Sequence, residues 1–295
     1  MSDDGFWPIP PTIGIVGVGL MGGSLGLALK SLSTPPQIVG IGRNIERLEV
    51  AQQLGAIDIA ETNLQRGASM CDVIILCTTI DNILSILPEV LRSAPETATI
   101  TDIGSTKSAI VAAAGRSPRF VGSHPMAGSE KSGVEAAFPT LYHGATWAIT
   151  PSSVTDEEHV RIVTHIAHAV GARPLLFTPE AHDAMVAITS HVPHVLASAL
   201  IRSAAEVRHD LPELYRMSAG SFADMTRVAA SPPEIWRDVC LTNRAAVLET
   251  LGRYRRQLDA LEQAVAASDP DAIEEFFAGG VEEKKKWQAE RAPGG

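Results

Sequence analysis

The stretch Thr12 to Lys30, TIGIVGVGLMGGSLGLALK, restricts the fold of this chain more than any other. A short apolar run of β type, Ile13 to Val16, meets three glycines, Gly17, Gly19 and Gly22, at G-x-G-x-x-G spacing. Apolar residues then recur in a helical pattern from Leu25 to Leu29. Strand, glycine turn and helix in that order are the context in which the motif reads as a dinucleotide site. Gly17 lets the chain turn off the strand, Gly19 leaves the backbone bare for a pyrophosphate, and Gly22 lets the helix lie close on the strand. Free N–H groups and the positive end of the helix dipole then point at the phosphates. Ser24 is placed to add a hydroxyl.

The segments that follow continue an alternation of strand and helix. Gln37 to Ile41 is the second strand, and its end carries Gly42-Arg43-Asn44 where an NAD site usually has an acid for the ribose hydroxyls. A missing carboxylate together with Arg43 suits a 2′-phosphate, which favours NADP; NAD stays open if Arg43 is merely solvated. Asp72 to Cys77 is a buried parallel strand, and Thr78 lies at its carboxyl end, where open α/β sheets bind ligands. Helices are expected over Glu46 to Leu54 and Ile83 to Leu91, and a further strand over Thr97 to Thr101. In the Asp102-to-Lys107 segment after it, Ser105 or Thr106 can cap the next helix. Phe120 to His124 is another strand, with a glycine-rich polar loop reaching Gly133. His124 therefore stands at the carboxyl edge of the sheet, and histidine is the side chain best matched to moving a proton near neutral pH. Ala145 to Thr150 and Arg173 to Phe177 read as two more strands, with a helix between them, and the alternation then stops.

From residue 179 the pattern is helical. His182 to Val207 is one segment with an expected kink at Pro193. His191 and His194 share a face, but no third ligand has recognisable spacing, so no metal is expected. A helix from Ile235 to about Ala266 carries Val239, Ala246, Leu248, Leu251, Leu258, Leu261 and Val265, more apolar surface than a small helical domain buries alone, which predicts a homodimer. The 295 residues, 45% of them hydrophobic, suit about two domains, divided here as 1–178 and 179–295. A net charge of −10 disfavours nucleic acid and membrane surfaces. Three cysteines without paired spacing, no signal peptide and no uninterrupted apolar run of membrane length fit a cytoplasmic protein. The final RAPGG is expected to be disordered.

Taken together, GVGLMGGS, CTTI, TDIGSTK, GSHPMAGSEKSG, TSHVPH, SFADMTRVA and IWRDV, in this order, resemble the prephenate/arogenate dehydrogenase family of tyrosine biosynthesis. The resemblance implies an α/β fold: a Rossmann-like, doubly wound N-terminal domain followed by an all-α C-terminal dimerisation domain. It implies oxidative decarboxylation of a cyclohexadienyl substrate with NAD(P)⁺. His124 matches the family's catalytic base and Ser105 the serine that bonds the same substrate hydroxyl and places the nicotinamide. Arg227 matches an arginine for a substrate carboxylate, His194 a histidine near the substrate side chain, Trp236 a neighbouring aromatic, and Glu130 a gating acid. Gly17, Gly19, Leu20, Met21, Gly22, Arg43, Thr78 and Ser105 fall on the cofactor side. The family's common GGF-[KR]-D pattern departs at Ala223, where a cation is missing. This leaves prephenate and arogenate both open.

Two rivals differ in class. A β-hydroxyacid dehydrogenase shares the glycine start and the helical second half, but needs a catalytic lysine in a G-x-x-G-x-G-x-x-x-K arrangement that SAGSFADMTR does not supply. A non-catalytic NADP sensor would share the fold and convert nothing.

Overall fold

The computed structural model describes residues 9–128 and 131–291. Its centre is one eight-stranded sheet of β1 (Thr12–Val16), β2 (Gln37–Ile41), β3 (Ile59–Glu61), β4 (Val73–Leu76), β5 (Thr99–Asp102), β6 (Phe120–Pro125), β7 (Thr146–Pro151) and β8 (Arg173–Leu176). The spatial order is β3-β2-β1-β4-β5-β6-β7-β8. Every neighbouring pair is parallel except β6 with β7. The helices α1 (Leu20–Lys30), α2 (Ile45–Gln53), α3 (Leu64–Ser69), α4 (Ile80–Ser93), α5 (Ser108–Ala113) and α6 (Glu157–Ala169) alternate with the strands.

The two-residue period of the strands divides the core. Along β4, Val73 and Ile75 join the apolar cluster of one face, with Leu25 and Leu29 of α1 and Val163 and Ile166 of α6. Ile74 and Leu76 join the cluster of the other face, with Ile83, Leu87 and Val90 of α4. A parallel sheet covered on both sides needs strands that are apolar on both sides, and the VIIL of β4 meets that need. Sequence reading passed over β3 and α3, and placed α5 only as the helix after Thr106, because three- and six-residue elements are too short to show a period.

After β8 come α7 (Pro179–Val186), α8 (Val192–Val207), α9 (Gly220–Thr226) and α10 (Pro233–Thr242). The interruption expected at Pro193 is a π turn over Ala187–His191, directly before it. Wider bonding there accommodates the N–H that proline lacks. Within Pro179–Val207 one 18-residue stretch has a mean hydropathy of 1.6, apolar enough by length and composition to cross a membrane, where none was expected. The expectation rested on uninterrupted apolar runs. Averaging over its alanines, valines and isoleucines hides His191 and His194, which make polar bonds described below.

The helix expected over Ile235 to Ala266 is two helices. It breaks at Asn243, whose side-chain amide donates to Asp183 O (2.8 Å) and His191 Nδ1 (3.2 Å). Val239 is fully buried in the sheet's second cluster rather than left for a partner. The chain forms two compact units that divide after Arg244. The second contains α11 (Arg244–Ala266) from Ala245 onward and α12 (Pro270–Arg291), and leaves Leu248, Leu258, Val265, Phe277, Val281 and Trp287 exposed. Of the RAPGG for which disorder was expected, Arg291 instead ends a helix, and residues 292–295 lie outside the described residues.

The tightest contact of α1 is at Gly26, where a Cβ would stand 2.1 Å from the carbonyl oxygen of Ala56. Gly26→Ala is expected to cost about 1–3 kcal/mol through overpacking. A thermal melt checks this: a midpoint equal to or above the parent's would show that α1 does not rest on that carbonyl.

Candidate active site

The crevice lies where the sheet order reverses direction, between β1 and β4, whose carboxyl ends carry Gly17 and Cys77-Thr78. Gly17 has φ +96°, and a Cβ there would meet the Cys77 carbonyl oxygen at 2.6 Å. At Gly22 a Cβ would meet the Gly17 oxygen at 2.3 Å, so this residue allows α1 to cross close to the turn. At Gly19 a Cβ would meet nothing within 4 Å: it would project into open space. No side chain caps the start of α1, which leaves its first N–H groups for a ligand. The hydroxyl of Ser24 is not among the available groups. It is fully buried and accepts the N–H of Phe138 at 3.1 Å.

A cavity of about 870 Å³ opens on this loop. Gly17, Gly19, Leu20, Met21, Arg43, Thr78, Ser105 and His124 all line it. Gly22 does not, since it is packed beneath the turn. Arg47 and Asn82, which sequence reading did not select, line the cavity too, and Asn82 Nδ2 donates to Thr78 Oγ1 at 3.3 Å. At the β2 end, no ion pair among the described residues involves Arg43 or Arg47. The nearest strand-end acid, Glu61 of β3, is buried and bound by Arg66 Nη2 (3.0 Å) and Asn63 N (2.7 Å).

Ser105 and Thr106 do not cap α5. The position before that helix is Lys107, and a distant carboxylate does the capping: Asp183 Oδ1 accepts Lys107 N at 2.7 Å and Oδ2 accepts Ser108 N at 2.9 Å. Ser105 is thus left lining the cavity, while Thr106 shares a hydrogen bond with Thr242 at 2.9 Å. The Lys107 ammonium turns inward, fully buried, to Asp102 and to Ser123 O (2.8 Å). This ion pair underlies the strand that presents His124.

His124 Nδ1 lies 2.9 Å from His182 Nε2, and His182 Nδ1 lies 2.9 Å from Asp183 Oδ1. Burial, followed by the charges of His182, Lys107 and His191, holds the His124 ring well below the usual histidine range, so it is neutral at neutral pH. Burial alone favours neutral Asp183, but bonds from His182, Ser108 and Lys107 hold its carboxyl below the usual range. His191 is pushed down to about 4, mainly by burial. Asn243 Nδ2 donates to its Nδ1, which puts the ring proton on Nε2.

His194 and Trp236 are brought together as a stacked pair, with centroids 3.6 Å apart. They form a wall of a second cavity of about 510 Å³ that also includes Ser198, Arg202 and Ser231. His194 Nδ1 donates to Ser190 O at 2.9 Å. Arg227 lines neither cavity; it opens a 3₁₀ turn (Arg227–Ala230) near enough to His194 to disfavour that ring's charged form. Glu130 lies outside the described residues. Among the described residues no cluster of three or more His, Cys, Asp or Glu side chains could hold a metal ion. Sequence reading missed His182 and Asp183. Their signal was present, since an adjacent His-Asp pair in an otherwise apolar helix is costly unless it is bonded.

The family model described as "Prephenate dehydrogenase, nucleotide-binding domain" matches residues 25–176, and "Prephenate dehydrogenase, dimerization domain" matches residues 178–279. A prephenate dehydrogenase of Bacillus subtilis is 34% identical over 271 residues, 90% of this chain and 73% of that protein. The crystal structure of a prephenate dehydrogenase from A. aeolicus, in complex with hydroxyphenyl propionate and NAD⁺, is 30% identical with a TM-score of 0.87, covering 93% of this chain and 97% of that one. An arogenate dehydrogenase of Synechocystis is 29% identical with a TM-score of 0.82, covering 94% and 99%.

Neutral buried histidines couple stability to pH. Below about 6.5 an unfolded histidine takes up a proton. His124, His191 and His194 remain neutral in the folded chain until lower pH, His191 to about 4. The unfolded state therefore binds more protons in this window, and stability falls as pH falls through it. The melting temperature is expected to be level from pH 8 to 7 and to drop steadily from 6.5 to 5. A level or rising melting temperature over that interval would contradict the assignment.

Proposed function

The chain belongs to the prephenate dehydrogenase family, and from that premise we propose the residues that carry its chemistry, its cofactor and its assembly. The reaction is the oxidative decarboxylation of prephenate and/or arogenate with NAD(P)⁺, in tyrosine biosynthesis. One observation carries the mechanistic reading: His124, tied back through Nδ1, lines the same cavity as the glycine turn and Ser105.

When bound, a nicotinamide dinucleotide supplies the hydride acceptor. The residues present fit one. The bare space at Gly19, the uncapped start of α1, and Leu20, Met21 and Thr78 would hold the pyrophosphate and nicotinamide half. The protein must then handle a proton and two carboxylates. His124 accepts the ring hydroxyl proton at Nε2 as hydride leaves the same carbon, and Ser105 bonds the hydroxyl oxygen and holds it in line. Loss of CO₂ delivers the electron pair of the broken C–C bond into the ring, which becomes aromatic, with the charge on that same oxygen. The product phenol carries one hydrogen there, so His124 must return the proton it took. Arg227 and His194 bind carboxylate and side chain, and Trp236 fixes the His194 ring by stacking. Glu130 gates the loop. Ala223 offers no second cation, so the choice between the keto acid and the amino acid rests on other groups.

Two expectations follow for the site. Prephenate and arogenate, each assayed with NADP⁺ and NAD⁺, should give turnover in at least one combination; none in all four would return the sensor and hydroxyacid readings. His124→Asn should lower kcat by about 10²–10⁴-fold with little change in KM. An unchanged kcat would show that another group is the base.

The cofactor reading favours NADP. Arg43 and Arg47 reach the cavity where a 2′-phosphate would lie, and Glu61, which would repel it, is neutralised by Arg66. NAD stays possible. The unit formed is a homodimer through the helical region after residue 178. The dimerisation-domain match and the exposed apolar side chains Ile188, Leu200, Leu248, Leu258 and Phe277 support it. A cytoplasmic setting is supported by three free cysteines. Arg43→Ala is expected to reduce the NADP⁺ over NAD⁺ ratio of kcat/KM at least about tenfold, the worth of one charged contact. An unaltered ratio would remove Arg43 from the cofactor site.

A further inference from the structure

His182 and Asp183 form a buried polar chain that ends on the base and has no part in the reading above. We infer that Asp183, acting through His182, fixes which nitrogen of His124 carries the proton and steadies the charge that His124 acquires, so that both are positioning residues of the reaction. The inference rests on His124 being the base.

The tautomers are set from the carboxylate outward. Asp183 accepts the backbone N–H groups of Lys107 and Ser108, one on each oxygen, and is 4% exposed. An ionised carboxylate only accepts hydrogen bonds, so the His182 Nδ1 that lies 2.9 Å from Oδ1 carries its hydrogen. In the neutral ring Nε2 is then a lone pair. His124 Nδ1, 2.9 Å away, must donate to it. That leaves His124 Nε2 without a hydrogen, as a base requires. The opposite order would set His182 Nδ1 as a bare acceptor against a carboxylate oxygen, with both side chains buried. It would also put a hydrogen on His124 Nε2, where the substrate proton has to go.

The same chain answers the charge. Once His124 holds the substrate proton, its Nδ1–H points at the His182 lone pair and can pass along that bond. His124 is then neutral with its hydrogen on Nε2, and His182 is a cation against Asp183. The reverse shift returns the proton to the product, and nothing else enters or leaves. The groups acting on His124 are His182 of α7, Lys107 of the segment before α5 and His191 of the π turn, with Asp183 bound to His182 and Asp102 to Lys107. Lys107 is satisfied by Asp102 and Ser123 O. His191 is bonded to Asn243. Asp183 is therefore the acid that answers a cation on the two rings.

The test uses the full chain. His182→Phe keeps a ring of similar size where His124 meets His182 edge to face, and removes the acceptor. It is expected to lower kcat about 10²-fold or more, with KM within about threefold. It should also turn a level kcat profile between pH 7 and 9 into one that rises with pH, since hydroxide must replace a wrongly protonated base. Asp183→Asn, which reverses the tautomer, should do the same, with a loss approaching about 10⁴-fold. A packing role alone would scale the rate equally at every pH. A ¹⁵N-histidine spectrum of the unmodified protein gives a reading independent of any variant: both rings should carry hydrogen on Nδ1. His182→Phe with kcat within threefold of the parent and a level profile, beside an inactive His124→Asn, would overturn the relay and leave the base. So would hydrogen on Nε2 of His124. An active His124→Asn would overturn both.

Discussion

The carboxylate of Asp183 joins parts of this molecule that sequence separates by 75 residues or more. Its two oxygens close the open start of α5, its backbone carbonyl receives Asn243, and one oxygen holds His182. Helix α5 has no capping side chain of its own, so the first N–H groups after β5 would be orphaned without this partner. The helical segment that begins with α7 is thereby pinned to the loop bearing Ser105. The break between α10 and α11 occurs at the residue that completes the same junction. Geometry at the base is thus inherited from the packing of helix on sheet, and not from a loop.

Beneath this junction lies the Asp102–Lys107 pair, fully buried on both sides. Two charges out of water are costly unless their remaining bonding capacity is used. Here it is used: Asp102 also receives Gly104 N and Ser123 N, and Lys107 donates to Ser123 O. The pair therefore ties the end of β5 to β6 one residue before His124. The Lys107 charge also helps to keep that ring neutral.

The parts of this arrangement that a reader of the sequence could see are those with short-range signatures. The glycine turn, the apolar β4, the acid missing after Ile41 and the histidine at the end of β6 each depend on neighbours within a few residues. The junction was hidden because its partners are remote. Nothing near Ser105 signals that residue 183 will cap the helix after it, so Ser105 and Thr106 looked like the natural caps. Ser24 misled for the same reason: its hydroxyl is committed to Phe138, 114 residues away. The single helix expected from Ile235 to Ala266 carries no proline or glycine at Asn243 to stop it, yet it ends there, where the Asn243 side chain bonds to Asp183 O and His191. The membrane question depended on uninterrupted apolar runs, and the 18-residue apolar average within Pro179–Val207 shows these to be a blunt guide.

The three glycines of the opening turn are not equivalent. Two are required by the chain itself: an added methyl at Gly17 or Gly22 would strike backbone oxygen. At Gly19 it would strike nothing. The fold is indifferent to that position, and any restriction on it comes from what occupies the crevice. Were a descendant of this chain to lose its ligand, the middle glycine would be released to drift while its neighbours stayed fixed. The identity of one small residue would then record whether the crevice is still in use.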